Sequence, residues 1–185
     1  VGTAGYGAWR LQDSDDTGPA IRVALVQGNV PNAWRGDGSR AEDAFRAFAD
    51  ATQKIVAERP DLVVWPENAV SFLLAPNPRF IESVTTLLTP ADAPLLLGGP
   101  RYAQVADGRV EFYNSAYLLS AAGESIAVYD KRHLVPFAEY VPIASIPGLN
   151  WRFDAPGGYT PGRTPTIFPR PDRFGVLICF EIIYP

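Results

Sequence analysis

Three reactive side chains follow predicted strands that are far apart in the sequence. Glu67 comes after "LVVWP", Lys131 comes after "IAVYD", and Cys179 stands at the end of "GVLI". In open α/β sheets the carboxyl ends of the strands line a common crevice in which ligands bind. The spacing therefore predicts that an acid, an amine and a thiol share one site.

These three side chains suit acyl transfer through a cysteine. A thiol with a pKa of about 8.5 is mostly protonated at neutral pH, so a carboxylate within reach must accept its proton during attack. Glu67 is the candidate base. Attack on an ester or amide carbonyl places negative charge on the oxygen, and the Lys131 ammonium could stabilise that charge.

Each of these residues also has a purely structural interpretation. A lone cysteine in an apolar strand is more often inert, Glu67 could cap a following helix, and Lys131 could end a strand in solvent. Glu181, two residues beyond Cys179, favours a functional thiol. A dyad of Cys179 and His133 is the competing assignment, but His133 lies two residues from Lys131 on an extended segment, where we expect the two side chains to diverge.

The pattern along the chain predicts strands that alternate with helices, which is typical of an α/β sheet covered by helices. Strands are predicted at 22–26, 61–67, 94–99, 110–120, 124–130 and 173–180, and helices between Ser39 and Pro60 and from Pro78 to about Leu88. Ser39 with Glu42 forms a predicted capping box, and Asn77 is the predicted cap of the second helix. Residues 136–172 are rich in Pro and Gly and predict a long loop.

Composition excludes several classes of protein. The 185 residues carry 20 acidic and 16 basic side chains without a basic run, which argues against nucleic-acid binding. A single cysteine excludes an internal disulfide and a multi-cysteine metal site, and we expect neither a metal nor a cofactor. No stretch approaches the roughly 20 apolar residues of a membrane-spanning helix. Residues 1–20 fit either the tail of a membrane helix with its linker or a frayed terminus.

Three segments resemble the catalytic segments of the nitrilase (carbon-nitrogen hydrolase) superfamily. "VVWPEN", "YDKRHLVPFAEYVP" and "GVLICFEIIYP" match them in order, and the resemblance spans about residues 21–185. It implies an αββα sandwich with a Glu-Lys-Cys triad. Within the superfamily, "HLVPFAEYVP", "VALVQGNVP" and "YNSAYLL" are more similar to the apolipoprotein N-acyltransferase family than to the soluble amidases.

The resemblance implies a role for each site residue. It marks Glu67 as general base, Lys131 as oxyanion stabiliser and Cys179 as the acylated nucleophile. Glu139 and Glu181 match supporting acids of the family's site, and three further positions associated with function match Trp34, Asn114 and Pro142.

Members of that family move an acyl chain from a phospholipid onto the thiol and then onto the N-terminal amine of a lipoprotein. They act at the outer face of the bacterial inner (plasma) membrane, so the membrane is an expected partner. A soluble nitrilase-type amidase and a catalytically silent lipid-binding module are the alternatives. Because the family's domain continues beyond this chain, we expect residues 21–185 to be an incomplete domain with little activity alone. We also expect residues 139–153 to form a mobile apolar loop near the site.

Overall fold

A computed structural model describes residues 2–12, 18–31, 40–70, 78–106, 108–140 and 158–184. The helices are α1 (Gly2–Gln12), α2 (Ala41–Ile55) and α3 (Pro78–Leu88), with short 3-10 turns at Val56–Glu58 and Cys179–Ile183. The strands are β1 (Val23–Leu25), β2 (Leu62–Val64), β3 (Leu95–Gln104), β4 (Val110–Leu119) and β5 (Ser125–Asp130). They form one sheet in the order β1-β2-β3-β4-β5, which confirms the α/β class.

The direction of the strands decides which of their ends share an edge of the sheet. β1, β2 and β3 are parallel, while β4 is antiparallel to both β3 and β5. Parallel neighbours need a long crossover connection, whereas β4 and β5 are joined by a short turn with Gly123 at φ 78°. Because two reversals restore the direction, β5 runs the same way as β2. The carboxyl ends of β2 and β5 therefore lie at the same edge.

Helices α2 and α3 cover one face of the sheet. Ala44, Phe48 and Thr52 recur every four residues along α2, and all three are buried. The Thr52 hydroxyl accepts a hydrogen bond from the indole N–H of Trp65 at 2.9 Å, and the Trp65 ring stacks on Phe48 with centroids 5.2 Å apart. The predicted helix and its buried face are confirmed.

The predicted first residues and caps of α2 and α3 can be compared with the structure. Ser39 lies outside the described residues, so its predicted capping box with Glu42 stays a prediction, while the structure gives Arg40 as the N-cap of α2. Arg40 makes no side-chain capping bond but lies 3.1 Å from Asp43, one turn along the helix. Helix α3 begins at Pro78 as predicted, while its expected cap Asn77 lies outside the described residues.

The other face of the sheet is partly covered by an extended segment. Phe168 and Ile178 pack there against Leu118 and Tyr129. The prediction of a strand at 173–180 is wrong. Only an isolated bridge joins Phe168 to Phe174, so this segment forms no ladder with the sheet. The alternating apolar residues of this segment pack onto the sheet, but its backbone does not join the ladder.

Two further predictions concern the termini and the long loop. α1 has 11 residues, none of them buried, and no helix in the described part of the chain is long and apolar enough to cross a membrane. The assignment of residues 1–20 to a membrane tail stays a prediction. In the described parts of residues 136–172 there is no helix or ladder strand. Residues 141–157 lie outside the described residues, as does nearly all of the expected apolar loop.

Candidate active site

Glu67 lies in the turn that follows β2. The turn is held to β3 by backbone hydrogen bonds, in which Gly98 N–H donates to the Pro66 carbonyl at 3.2 Å and Val70 N–H donates to the Gly98 carbonyl at 3.4 Å. Asn68 adopts a positive φ of 51°, which reverses the chain. The turn brings the Glu67 carboxylate to the sheet edge shared by β2 and β5.

Lys131 is the first residue after β5 and is only 1% exposed. Its backbone N–H donates to the Asn114 carbonyl at 2.8 Å. Its Nζ lies 2.9 Å from Glu139 Oε1, 2.8 Å from Glu139 Oε2 and 4.0 Å from Glu67 Oε1. Since burying an unpaired ammonium is costly, the two carboxylates offset that cost and hold the cation at the site.

The buried Asn114 side chain joins the two carboxylates. Its Nδ2 donates to Glu67 Oε1 at 2.7 Å and to Glu139 Oε1 at 3.0 Å. An amide NH₂ group only donates, so both glutamates act as acceptors in this arrangement. Asn114 Oδ1 is buried and has no hydrogen-bond partner within the residues that the structure describes. Asn114 and Lys131 together fix the spacing of the two acids.

A tight turn delivers Glu139 to Lys131. The backbone N–H of Val135 donates to Glu139 Oε2 at 2.8 Å, and the Glu139 N–H donates to the Val135 carbonyl at 2.9 Å. Phe137, within the turn, has φ 63°. The Glu139 carboxylate therefore has contacts on both oxygens, from a backbone amide, an ammonium and the Asn114 amide.

Glu181 ties the segment after Lys131 to the turn that contains the cysteine. Its Oε1 accepts hydrogen bonds from Tyr129 Oη at 2.7 Å, Arg132 N–H at 2.8 Å and His133 N–H at 3.0 Å, and its Oε2 accepts from Ile178 N–H at 2.9 Å. Burial by itself raises the pKa of this carboxyl, but the four donated hydrogen bonds outweigh burial and lower the pKa. Glu181 is therefore an ionised structural link at the site.

Cys179 opens the final 3-10 turn and is exposed. Its φ of 52° lies in the left-handed region, which is uncommon for a residue with a Cβ. Cys179 and Glu67 line the same cavity of about 240 Å³, together with Gly98, Ser115 and Ile178. The predicted acid thus lies 4.0 Å from the amine and lines one cavity with the thiol.

The remaining predicted residues divide into two groups. Asn114, Glu139 and Glu181 all contact the site, whereas Trp34 and Pro142 lie outside the described residues. His133 stacks its ring on Tyr184, with centroids 4.4 Å apart. Within the described ranges no group of three acidic, His or Cys side chains has the geometry to hold a metal.

Sequence reasoning missed two residues that shape the site. The Tyr129 hydroxyl donates a hydrogen bond to Glu181. Burial is the larger cause and this hydrogen bond the smaller cause of a raised pKa of the Tyr129 hydroxyl, which stays protonated. Gly98 allows β3 to approach the turn that carries Glu67, because an added Cβ would lie 2.6 Å from Glu67 Cα. The adjacent glycines "GG" at the end of a predicted strand were the available signal for this close approach.

Curated relatives match nearly the whole chain. An apolipoprotein N-acyltransferase from Geobacter metallireducens is 35% identical over 99% of this chain and 35% of its own length. One from Brucella suis is 34% identical over 98% of this chain and 36% of its own length. The chain therefore spans about a third of the length of these relatives.

Solved structures share the fold. A mutant amidase from Nesterenkonia sp. AN1, with acrylamide added at its active-site cysteine, has a TM-score of 0.57 at 15% identity, over 88% of this chain and 59% of its own. A glutamine-dependent NAD⁺ synthetase from Acinetobacter baumannii has a TM-score of 0.54 at 22% identity, over 88% of this chain and 28% of its own. The nitrilase-like α/β fold and the resemblance to apolipoprotein N-acyltransferases are confirmed. Residues 22–185 match the family model for carbon-nitrogen hydrolase, and the chain belongs to that family.

Proposed function

We propose that this protein transfers an acyl chain from a phospholipid, through a thioester on Cys179, to the N-terminal amine of a lipoprotein. The observation that carries the proposal is the buried Lys131 ammonium, which lies between Glu67 and Glu139 beside a cavity that Glu67 shares with Cys179. Relatives named apolipoprotein N-acyltransferase support this choice of acceptor over water.

In the first half-reaction Glu67 accepts the proton of the Cys179 thiol as its sulfur attacks the ester carbonyl carbon. The C–S bond forms, and the negative charge that develops on the carbonyl oxygen is stabilised by the Lys131 ammonium. Collapse of this intermediate breaks the C–O bond, and the departing lysophospholipid oxygen takes the proton from Glu67. The acyl chain then remains on Cys179 as a thioester.

In the second half-reaction the lipoprotein amine attacks the thioester carbonyl. Glu67 accepts a proton from the amine, and Lys131 again stabilises the oxygen. The C–S bond breaks, Cys179 recovers the proton, and the product is an amide. One base and one cation thus serve both steps, as the chemistry of two successive acyl transfers requires.

The contacts of the two acids indicate which of them is the base. Glu139 accepts from the Val135 amide and from Asn114, and Lys131 contacts both of its oxygens. Glu67 has one hydrogen bond from Asn114, lies 4.0 Å from Lys131, and keeps 29% of its side chain exposed. Glu67 therefore has room to take up a proton, while Glu139 holds the lysine in position.

The thiol is positioned by the contacts of Glu181. The Glu181 carboxylate accepts a hydrogen bond from the amide of Ile178, the residue directly before Cys179. It also accepts hydrogen bonds from the amides of Arg132 and His133, the two residues after Lys131. The nucleophile and the cation are thereby connected through one buried side chain. Catalysis depends on such alignment, because a displacement of about 1 Å can lower a rate about 10²-fold.

A phospholipid donor implies that the site works next to a membrane, and the resemblance to apolipoprotein N-acyltransferases suggests its extracytoplasmic side. Helix α1 exposes Tyr6, Trp9 and Leu11, and the rings of Tyr6 and Trp9 lie 5.8 Å apart. Such aromatic side chains are enriched at the membrane interface. We assign α1 to the membrane side of the protein, and Trp34 and Pro142 remain proposed contributors to the site.

The test is to trap the acylated enzyme. The full-length protein in nonionic detergent micelles is incubated with phospholipid, and intact mass is measured before and after hydroxylamine treatment. A hydroxylamine-sensitive acyl adduct is expected on the wild type and absent from Cys179→Ala. An adduct that persists in Cys179→Ala would contradict the assignment.

A second measurement separates transfer from hydrolysis, which the structural similarity to an amidase makes the competing activity. A diacylated lipopeptide with a free N-terminal amine is added to the acyl-enzyme. Transfer predicts loss of the adduct only when the amine is present, with formation of an amide. Release of free fatty acid at the same rate with and without the lipopeptide would support a hydrolase instead.

A further inference from the structure

A second cavity is lined by residues that adjoin the site residues in sequence, although Glu67, Lys131 and Cys179 do not line it. It has a volume of about 370 Å³, which is within the range of small-molecule sites. Its lining includes Arg132, His133, Leu134, Tyr140, Tyr159 and Tyr184. We call it the Arg132 pocket.

The Arg132 pocket is built from the same segments as the active site. Arg132 directly follows Lys131, Tyr140 directly follows Glu139, and Tyr184 lies three residues beyond Glu181. The backbone amides of Arg132 and His133 are held by Glu181, which fixes the main chain of these two lining residues. A ligand in this pocket would therefore contact a segment whose main chain is held by the carboxylate that also binds the Ile178 amide, directly before Cys179.

The charge of the pocket is unusual for this protein. The chain has a net charge of −4, yet the described residues that line the pocket include the cationic Arg132 and no acidic residue. Within the described part of the chain the Arg132 guanidinium makes no ion pair and no side-chain hydrogen bond, and its side chain is exposed. An unpaired cation at the wall of a cavity favours an anionic ligand.

The donors of the pocket suit a phosphodiester, which is the anionic group of the proposed acyl donor. Guanidinium, imidazole and two phenol groups, from Tyr140 and Tyr184, line the pocket, and each of these groups can donate a hydrogen bond to an anionic oxygen. A phosphodiester carries its negative charge on two non-bridging oxygens, which Arg can bind with two parallel hydrogen bonds. The stacked rings of His133 and Tyr184 form an apolar wall that can pack against the organic part of such a ligand.

We propose that the Arg132 pocket binds the phosphodiester headgroup of the phospholipid acyl donor. This inference rests on the proposed function, since it places the headgroup beside the site where the donor ester is cleaved. The same chemistry would bind inorganic phosphate, so the experiment must distinguish the two sources. A headgroup held here positions the ester carbonyl relative to Cys179 without taking part in the reaction.

Binding is measured by calorimetry on the full-length protein in nonionic detergent, with three probes. They are dihexanoylphosphatidylglycerol, dihexanoylglycerol without the phosphate, and inorganic phosphate. Arg132→Gln is expected to weaken binding of the phospholipid about tenfold or more, the size of one charge-assisted hydrogen bond. It should leave binding of dihexanoylglycerol unchanged. Tyr184→Phe, which removes only a hydroxyl group, should weaken phospholipid binding severalfold.

Arg79→Gln is the matched control, because Arg79 is an exposed arginine on α3 that does not line the pocket. It should bind the phospholipid like the wild type. Wild-type affinity in both Arg132→Gln and Tyr184→Phe would overturn the proposal. Dependence on Arg132 for inorganic phosphate but not for the phospholipid would identify a free-phosphate site and would also overturn it.

An activity measurement separates failure of the pocket from failure of the proposed function. The rate of Cys179 acylation is compared for the phospholipid and for a phosphate-free p-nitrophenyl ester. Arg132→Gln should slow acylation by the phospholipid and leave the rate with the ester unchanged. If no donor acylates the wild type, the proposed function fails while calorimetry still tests the pocket. Equal slowing with both donors would show that Arg132 acts on the chemistry and not on the headgroup.

Discussion

Gly98 of β3 packs directly against the backbone of Glu67. A Cβ added at Gly98 would lie 2.6 Å from Glu67 Cα and 2.8 Å from the Asn68 nitrogen. Both neighbours are main-chain atoms, which cannot move aside as a flexible side chain would. The position of the proposed base therefore depends on the absence of a side chain in the adjacent strand.

Gly98→Ala is expected to lower the free energy of unfolding by about 1–3 kcal/mol, the usual cost of overpacking. It should also displace the Glu67 turn, so the acylation rate should fall even where the protein is fully folded. Urea denaturation and single-turnover acylation measure the two effects. Gly175→Ala is the control, since a Cβ there meets nothing within 4 Å. Equal behaviour of the two variants would contradict the close-packing argument.

Glu67→Gln and Lys131→Ala should each lower the acylation rate about 10²-fold or more, because one removes the proposed base and the other the proposed stabiliser of the oxyanion. Glu58→Gln and Lys54→Ala make the same changes at exposed positions and should retain normal rates. Rates are compared in single turnover on proteins with unchanged circular dichroism. Near-normal turnover in a folded Glu67 or Lys131 variant would show that this residue is structural.

Asn114→Asp should be more damaging than Asn114→Ala. The alanine variant loses the two donated hydrogen bonds to Glu67 and Glu139, while the aspartate variant also adds a third carboxylate between them. We expect the acylation rate to fall about 10²-fold or more in Asn114→Asp. Its free energy of unfolding should lie about 1 kcal/mol or more below that of Asn114→Ala at pH 7. Matching stability and rate in the two variants would rule out charge crowding at this position.

The lowered pKa of Glu181 predicts how stability depends on pH. Since the folded-state pKa lies below the ordinary value of 4.5, ionised Glu181 stabilises the fold above pH 4.5. This contribution is lost as the pH falls through the lowered folded-state pKa. Glu181→Gln should therefore be less stable than the wild type at pH 7, by about 1–3 kcal/mol, with the difference shrinking below pH 4.5.

Denaturant titrations at a series of pH values between 7 and 3 measure this difference. Glu124→Gln, a change at an exposed glutamate in the β4–β5 turn, should follow the wild-type curve. A constant gap between Glu181→Gln and the wild type over the whole series would show that ionisation of Glu181 does not stabilise the fold.

Local pattern was enough to place the long helices and two of the reactive residues. The four-residue spacing of Ala44, Phe48 and Thr52 predicted the buried face of α2, because a helix presents such positions to one side. Glu67 and Lys131 were predicted to meet because each follows a strand, and the sheet does bring them to 4.0 Å. The structure adds the reason, which is that the antiparallel β4 lets β5 run in the direction of β2.

The segment before Cys179 shows what local pattern does not contain. Val176 and Ile178 alternate with the exposed Leu177, a pattern shared by a strand in a ladder and by an extended segment packed on a sheet. Only the tertiary structure distinguishes them, because the choice depends on whether a neighbouring backbone offers its hydrogen bonds. Here the Ile178 amide is bound by the side chain of Glu181.

Glu181 itself could be assigned to the site from the sequence only by its place beside Cys179 and by resemblance. Its four donors come from Tyr129, Arg132 and His133, about 50 residues earlier, and from Ile178. No spacing rule relates these positions, because the described parts of the chain between His133 and Ile178 contain no helix or ladder strand. They converge because β5 ends at the sheet edge where the final turn packs, and that packing determines both the pKa of Glu181 and the position of the thiol.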